Sequence, residues 1–323
     1  MLRHVGKLCV ALVAAACLFG SPARAAFPDQ PITLIVPWAA GGGTDAIARY
    51  IGAKLQEEWK QPVNVVNRIG GNGVVGHQAI STARPDGYTI GLITLEINQM
   101  HWVGLTDLTW EGYTPFALIN QDAAAIHVKV DSPHKTLKDL LAHIKANPNK
   151  VVASGSGQGG SWHLALAGLL QEEGIAPNSI RWVPSTGAAT ALTDLAAGGV
   201  EFVSCSMPEA QALMDAKRVR SLAFMSDKRA GIAPDVPTVE EAIGRKWAKG
   251  VWRGMVGPKG LPKEFATRYE AAIKKIWDSA DFQEFMKKRG FDLIYMDSAK
   301  FAAFMKADNE DNGKALKSLG LAK

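Results

Sequence analysis

The chain has 323 residues, 47% of them hydrophobic and 21% charged, with a formal net charge of +5. That balance is globular and supplies apolar content for one or two cores, which excludes a disordered or fibrous chain. Three of the positive charges, Arg3, Lys7 and Arg24, fall in the first 25 residues; without them the charge is +2, too small to mark a nucleic-acid binder.

MLRHVGK is basic, LCVALVAAACLFG is a short apolar run, and SPARAA supplies small residues with an A-x-A pattern at Ala23 to Ala25. This is the layout of a secretory signal peptide covering residues 1–25, cleaved after Ala25 or Ala26. A lipoprotein cut before Cys17 is weighed and set aside, because the better cleavage signal lies downstream. The leader removes Cys9 and Cys17 and leaves Cys205 alone. One cysteine forms no internal disulfide, so an exported chain of this kind depends on its core. No later segment approaches transmembrane length. The expectation is a periplasmic protein.

Strand and helix patterns then alternate. ITLIV (32–36) reads as a buried strand and TDAIARYIGAKLQEEW (44–59) as a helix. VNVVN (63–67) is a strand, GVVGHQAISTA (73–83) a helix, and YTIGLIT (88–94) a strand. FALIN and AAIHVKV (116–130) follow an irregular stretch, and LKDLLAHIKANP (137–148) is helical. KVVAS (150–154) leads through a glycine turn to the helix SWHLALAGLLQEEG (161–174). SIRWV (179–183), AATALTDLAAGG (188–199), VEFVSC (200–205), MPEAQALMDA and VRSLAFMS (219–226) continue the alternation. VWRGMVGP (251–258) is a late strand, and the remainder is helical apart from FDLIYM (291–296). Alternating strands and helices predict an α/β protein whose mainly parallel sheets are flanked by helices. Two such series predict two lobes: residues 26–124 with 232–323, and 125–231.

Three turns share one design: WAAGGGTD (38–45), SGSGQGGSWH (154–163) and PSTGAAT (184–190). Each follows a strand and opens a helix, so each lies at a strand's carboxyl end, where open α/β folds bind ligands. Small residues admit the ligand to the backbone. Free amides at a helix start carry about half a positive charge. Any one turn is also what a sharp strand-to-helix bend requires; three together predict a cleft for a small anion. Thr44, Ser154, Ser156, Ser161, Ser185 and Thr186 add hydroxyls, some of them plain caps. Asp45 is as well placed to cap its helix as to meet a ligand. Trp38 stands where a cleft wall would be. Cys205, with Ser206, ends an apolar strand near the same rim, although a buried cysteine is more often a small hydrophobe than a nucleophile.

Other chemistries lack their signatures. GSGQGG (155–160) matches G-x-G-x-x-G, but no acid follows at the end of the next strand, as dinucleotide binding requires. No phosphate-binding G-x-x-x-x-G-K-[ST] and no G-x-S-x-G nucleophile elbow occur. Ser161 and His163 are two apart on one helix and point away from each other. The other histidines are scattered without metal-ligand spacing. No cofactor, metal or catalytic residue is expected.

The chain resembles the periplasmic receptors of tripartite tricarboxylate transporters, the Bug family. The motifs that carry the likeness are ITLIVPWAAGGGTDAIAR, PVNVVNRIGGNGVVG, ARPDGYTIGL, ASGSGQGGSWHLA, GAATALTDLAAGGVE and DVPTVEEA, in that order over nearly all of residues 27–320. The resemblance implies a two-lobed Venus-flytrap fold that closes on a small carboxylate. By that similarity Pro37, Trp38, Ala39, Gly41, Gly42, Gly43, Thr44 and Asp45 supply the first lobe's contacts. Ser154, Gly155, Ser156, Gly157, Gly160, Ser161, His163, Ser185, Thr186, Gly187 and Ala188 supply the second's. Many relatives have Phe at the place of Trp38 and Pro-Tyr-Lys-Gly around Pro184, so the ligands of better-known members do not carry over. The expectation is a monomeric solute receptor that delivers its carboxylate to membrane subunits. The alternatives are an enzyme acting on a small acid in the same cleft and a receptor for a signalling partner.

Overall fold

The computed structural model describes residues 27–323; the leader read in residues 1–25, with Cys9 and Cys17, lies outside the described residues. Strand β1 (Ile32–Val36) pairs in parallel with β2 (Val63–Asn67) and β3 (Thr89–Thr94). Helices α1 (Gly43–Trp59) and α2 (Val74–Ser81) connect them. Strand β4 (Tyr113–Lys129) then carries the chain into a second series. That series runs α3 (Leu137–Ala146), β5 (Val151–Ser154), α4 (Ser161–Glu172), β6 (Ile180–Val183), α5 (Ala188–Ala197), β7 (Phe202–Ser206), α6 (Met207–Asp215) and β8 (Val219–Phe224). After α7 (Val239–Ile243), β9 (Gly250–Pro258) returns to the first series. Helices α8 (Lys263–Asp278) and α9 (Ala280–Lys288), strand β10 (Leu293–Asp297) and helix α10 (Ser298–Ser318) complete the chain.

The sheets are parallel at their outer strands and antiparallel where the chain crosses between them. β5 pairs in parallel with β6 and β7, whereas β9 runs antiparallel to both β3 and β4. The reading of FALIN and AAIHVKV as separate strands is corrected: one 17-residue strand covers both. Asn120, Gln121 and Asp122 interrupt its apolar pattern, and Asn120 and Asp122 are nonetheless buried. They serve a charge described below. Along β4 the partner changes from β9, up to Ala123 opposite Gly250, to β7, from Ala124 opposite Ser206. At this handover three segments are laced by backbone bonds. Ala124 N donates to Lys249 O at 2.8 Å, Met225 N to Ala124 O at 2.7 Å, and Lys249 N to Met225 O at 3.0 Å. A side chain at Gly250 would put its Cβ 2.0 Å from Asp122 O, so only glycine lets the strands approach this closely.

Each series buries its own core. Ile126, Val128, Leu166, Leu169, Leu192 and Phe202 belong to one, and Ile32, Leu34, Ile51, Leu92, Phe116 and Ile273 to another. At about 1.5–3 kcal/mol per buried large aliphatic or aromatic side chain, these clusters supply the main drive to fold. A third cluster places Trp252, Phe301 and Met305 under α10. No described helix is long and apolar enough to cross a membrane.

His127 lies fully buried on β4, with Nδ1 2.8 Å from Ser221 Oγ and Nε2 3.2 Å from Cys205 O. Burial pulls its pKa down from 6.5 to about 4. It is therefore neutral in the fold, while the unfolded chain takes up the proton below its ordinary pKa. Stability is full above about pH 6.5 and falls as the pH drops toward 4, by on the order of 3 kcal/mol from this residue. Thermal melts between pH 7 and 4 are expected to show that loss, and His127→Gln to lessen it. A melting temperature independent of pH over this range contradicts a neutral buried imidazole.

Candidate functional site

The loop after β1 is braced from behind by Asp45. Its Oδ2 accepts from Gly41 N at 2.9 Å and from Arg49 Nε at 2.9 Å, and its Oδ1 accepts from Asn67 Nδ2 at 2.9 Å. Burial raises the Asp45 pKa, but the bonds from Arg49, Gly41 and Asn67 outweigh it and hold the carboxyl below its ordinary value. Gly41 adopts a φ of +85°, which L side chains rarely tolerate. Asp45 thus shapes the loop and does not face the cavity. Trp38 donates Nε1 to Thr94 Oγ1 at 3.1 Å. His77 fixes Thr94 in turn: its Nε2 accepts from Thr94 N at 3.2 Å, so Nδ1 carries the proton and donates to Gly73 O at 2.8 Å. Burial lowers the His77 pKa and keeps it in this neutral form.

The facing wall is built the same way. Ser154 Oγ donates to Val183 O at 2.7 Å, and Trp182 Nε1 to Ser156 O at 3.0 Å. His163 Nδ1 accepts from Gly159 N at 3.1 Å. Burial brings the His163 pKa down to about 4, so a neutral ring braces the glycine turn. Gly155 and Gly157 are close-approach glycines. A Cβ would stand 2.3 Å from Ser204 O at the first and 2.3 Å from Asn72 Oδ1 at the second. Gly160 opens α4 against Asn72 and Ser156.

The two walls meet. Ala39 N donates to Thr186 O at 3.4 Å and Asn72 Nδ2 to Gln158 O at 3.4 Å. Between them remains a cavity of about 30 Å³, room for two or so waters. Of the residues read from the sequence, Trp38, Ala39, Gly42, Gly43, Thr44, Ser156, Gly187 and Ala188 line it. Pro37, Gly41, Asp45, Ser154, Gly155, Gly157, Gly160, Ser161 and His163 do not line it. Ser185 Oγ donates to Gly187 O at 3.0 Å, and Thr186 Oγ1 pairs with Thr190 Oγ1 at 3.1 Å. Cys205 is buried in the core, where burial and then Glu209 push its thiol well above its ordinary pKa. Ser206 caps α6.

Four charged residues that the sequence reading passed over dominate the site. Glu209 Oε2 accepts from Ser206 Oγ at 3.0 Å and Ser206 N at 3.3 Å, while Oε1 reaches across the cleft to Gly43 N at 3.3 Å. Burial raises the Glu209 pKa against the opposing pull of Arg253. Glu96 crosses in the other direction. Its Oε1 accepts from Ser161 Oγ at 2.6 Å and Ser161 N at 3.4 Å, and its Oε2 from Thr94 Oγ1 at 2.5 Å. Two helix starts therefore already hold a carboxylate from the opposite lobe. Among the described residues no side chain hydrogen-bonds the first amides of the third, at Ala188. On the floor, the buried Arg253 binds Asp122 through Nη1 and donates Nε to Thr44 Oγ1 at 3.0 Å. Asp122 Oδ1 also accepts from Asp292 N at 3.1 Å. Helix α10 steadies the turn that bears Glu96: Asn98 Nδ2 donates to Met305 O at 2.9 Å and to Asp308 Oδ2 at 2.8 Å.

Signals for these residues existed. Ser206-Met207-Pro208-Glu209 is a capping-box spacing, and Arg253 is a charge inside an otherwise apolar strand. Away from the cleft, His134, His143 and Glu201 each bring one metal-ligating atom within 4.8 Å of the others. Arg220 lies beside them, a charge that opposes a cation.

Residues 47–321 match the TctC family, described as the tripartite tricarboxylate transporter family receptor. The structure is similar to that of the periplasmic binding protein BugD, with a TM-score of 0.85 at 26% identity over 92% of this chain and 100% of that one. It is similar to Rpa4515 of R. palustris solved with adipate, with a TM-score of 0.86 at 25% identity over 92% of this chain and 99% of that one. A TctC solute binding protein from Polaromonas, solved with no ligand, scores 0.64 at 30% identity over 90% of this chain and 99% of that one.

Asp122→Asn leaves the Arg253 guanidinium buried without its ionised partner. The expected loss is about 3–5 kcal/mol of unfolding free energy in a denaturant titration. A loss below about 1 kcal/mol contradicts the pairing described here.

Proposed function

The chain belongs to the TctC family of tripartite tricarboxylate transporter receptors, periplasmic solute-binding proteins and not enzymes, and from that premise we propose that it captures a small carboxylate between its lobes and delivers it to transporter membrane subunits. Residues 1–25 are the leader that exports it, and the lobes are 26–124 with 232–323, and 125–231. The observation that carries the carboxylate is the helix start at Ala188. Its first residues, Ala188 and Ala189, line the cavity, and no side chain among the described residues hydrogen-bonds their amides. Amide donors at a helix start bind a carboxylate without a lysine. Ser156, in the same lining, has a buried hydroxyl without a partner among the described residues.

The closed arrangement supports a flytrap cycle. The likeness to the adipate-bound protein exceeds that to the ligand-free one, although the latter is more similar in sequence. That is the pattern expected when two related proteins differ by a hinge rotation of their lobes. The crossing at Ala123 and Ala124 is the point about which the lobes turn. The ligand acts by favouring the closed form, which the membrane subunits read.

A thermal-shift screen of mono-, di- and tricarboxylates tests this reading. A specific acid at a hundredfold excess over its Kd adds about 2.7 kcal/mol to stability and raises the melting temperature. Gly42→Val keeps an extended backbone at φ −78° and ψ 173°, and a Cβ there meets only Ala39 O at 3.5 Å and Glu209 Oε1 at 3.8 Å. Its methyl groups enter the cavity. The variant is expected to fold, at a cost of about 1 kcal/mol for the helix start, and to lose the ligand-induced shift. An unchanged shift removes this cavity as the binding site.

A further inference from the structure

We infer that His134, His143 and Glu201 form a binding site for Zn2+, in the second strand-helix series and away from the cleft. Each brings one ligand atom, and the three atoms lie within 4.8 Å of one another. They come from three separate segments. His134 stands in the loop between β4 and α3, His143 in the last turn of α3, and Glu201 just before β7. At the far end of β7, Ser206 caps the helix whose Glu209 lines the cleft. The strand between, Phe202–Ser206, sets Glu201 about 16 Å from that end at the rise of an extended chain. The cluster therefore takes no part in holding a solute between the lobes.

The spacing suits zinc. His143 Nε2 stands 3.4 Å from Glu201 Oε2. That is long for a charge-assisted hydrogen bond, which closes to about 2.8 Å. It matches the edge of a tetrahedron, roughly 3.4 Å, whose corners lie about 2.1 Å from a central Zn2+. Imidazole nitrogens beside a carboxylate suit zinc, whereas calcium and magnesium take oxygen ligands. All three residues are half-buried. The ion can thus enter from solvent, and a water completes the fourth position.

Neighbouring groups hold the ligands in place. Glu201 Oε1 accepts from Val152 N at 3.1 Å, which leaves Oε2 for the ion. Arg220 pins the loop that bears His134. Its Nε donates to Val130 O at 3.4 Å, its Nη1 to Lys135 O at 3.3 Å, and its Nη2 to Ser132 O at 3.3 Å and to His134 O. The guanidinium charge opposes a cation, but Glu201 and Asp139 each act on His134 more strongly than Arg220 does. His143 also sits at the carboxyl end of α3, the negative end of the helix dipole. With the ion on Nε2, the His143 proton moves to Nδ1, which lies 3.3 Å from the Asn147 amide nitrogen. That amide turns to present its oxygen as the outer partner of the ring.

The test is a calorimetric titration of zinc chloride into the mature protein, prepared without a histidine tag and freed of metal with a chelator. The expected result is one Zn2+ per chain with a Kd tighter than about 100 μM, a rise in melting temperature, and no response to Ca2+ or Mg2+. Loss of an outer partner alone weakens metal sites by about 10–100-fold, so His143→Gln and Glu201→Gln are each expected to weaken binding at least as much. His101→Gln, outside the cluster, is expected to keep it. Circular dichroism of the metal-free variants verifies that each has folded. Zinc binding weaker than about 100 μM overturns the site. So does binding that survives both substitutions or is lost in His101→Gln, since the ion then sits elsewhere. An equal response to Ca2+ overturns the assignment to the imidazoles.

Discussion

The structure turns on an exchange of carboxylates between its halves. Glu209 leaves the second lobe to meet the amide that opens α1 in the first, and Glu96 leaves the first to meet the serine that opens α4 in the second. Each helix start carries about half a positive charge and orphaned N–H groups. Glu209, in addition, satisfies the capping box of its own helix. Each of these side chains therefore links a helix start to a distant segment across the cleft. In this arrangement the glycine loop after β1 meets a carboxyl group of the protein itself, that of Glu209.

Such a latch works only if the lobes meet in register, and the floor of the cleft provides that. β4 and β9 pass between the lobes side by side, and Gly250 lets them approach to backbone contact. Arg253 on β9 ties to Asp122 on β4 and to Thr44 on α1. A buried ion pair of this kind is weak evidence for stability, since desolvation offsets its attraction. Its effect is positional: a charge with fixed partners fixes the strand that bears it. Helix α10 plays the corresponding part for the turn bearing Glu96, through Asn98 and Asp308.

Much of this was legible in the sequence. The apolar runs, the three small-residue turns and the helix periods mark the strand-turn-helix units, because each is a local signal within a dozen residues. The lining by Trp38, Gly42, Gly43, Ser156 and Ala188 follows from those turns. What escaped is non-local. Glu209 meets a residue 166 positions away, and Glu96 one 65 positions away; no period or spacing encodes such partners. Gln121 and Asp122 fall between FALIN and AAIHVKV and hide the continuity of β4, whereas the polarity of Asn120 and Asp122 answers Arg253 from another strand. The antiparallel crossing was hidden for the same reason, since strand direction depends on where the chain returns and not on composition.

The most direct test is small-angle X-ray scattering of the ligand-free mature protein beside a Glu96→Gln/Glu209→Gln double variant. The reciprocal carboxylate contacts predict that the wild-type curve matches the closed structure and that the double variant has a larger radius of gyration. A ligand-free wild type already as open as the double variant would contradict them.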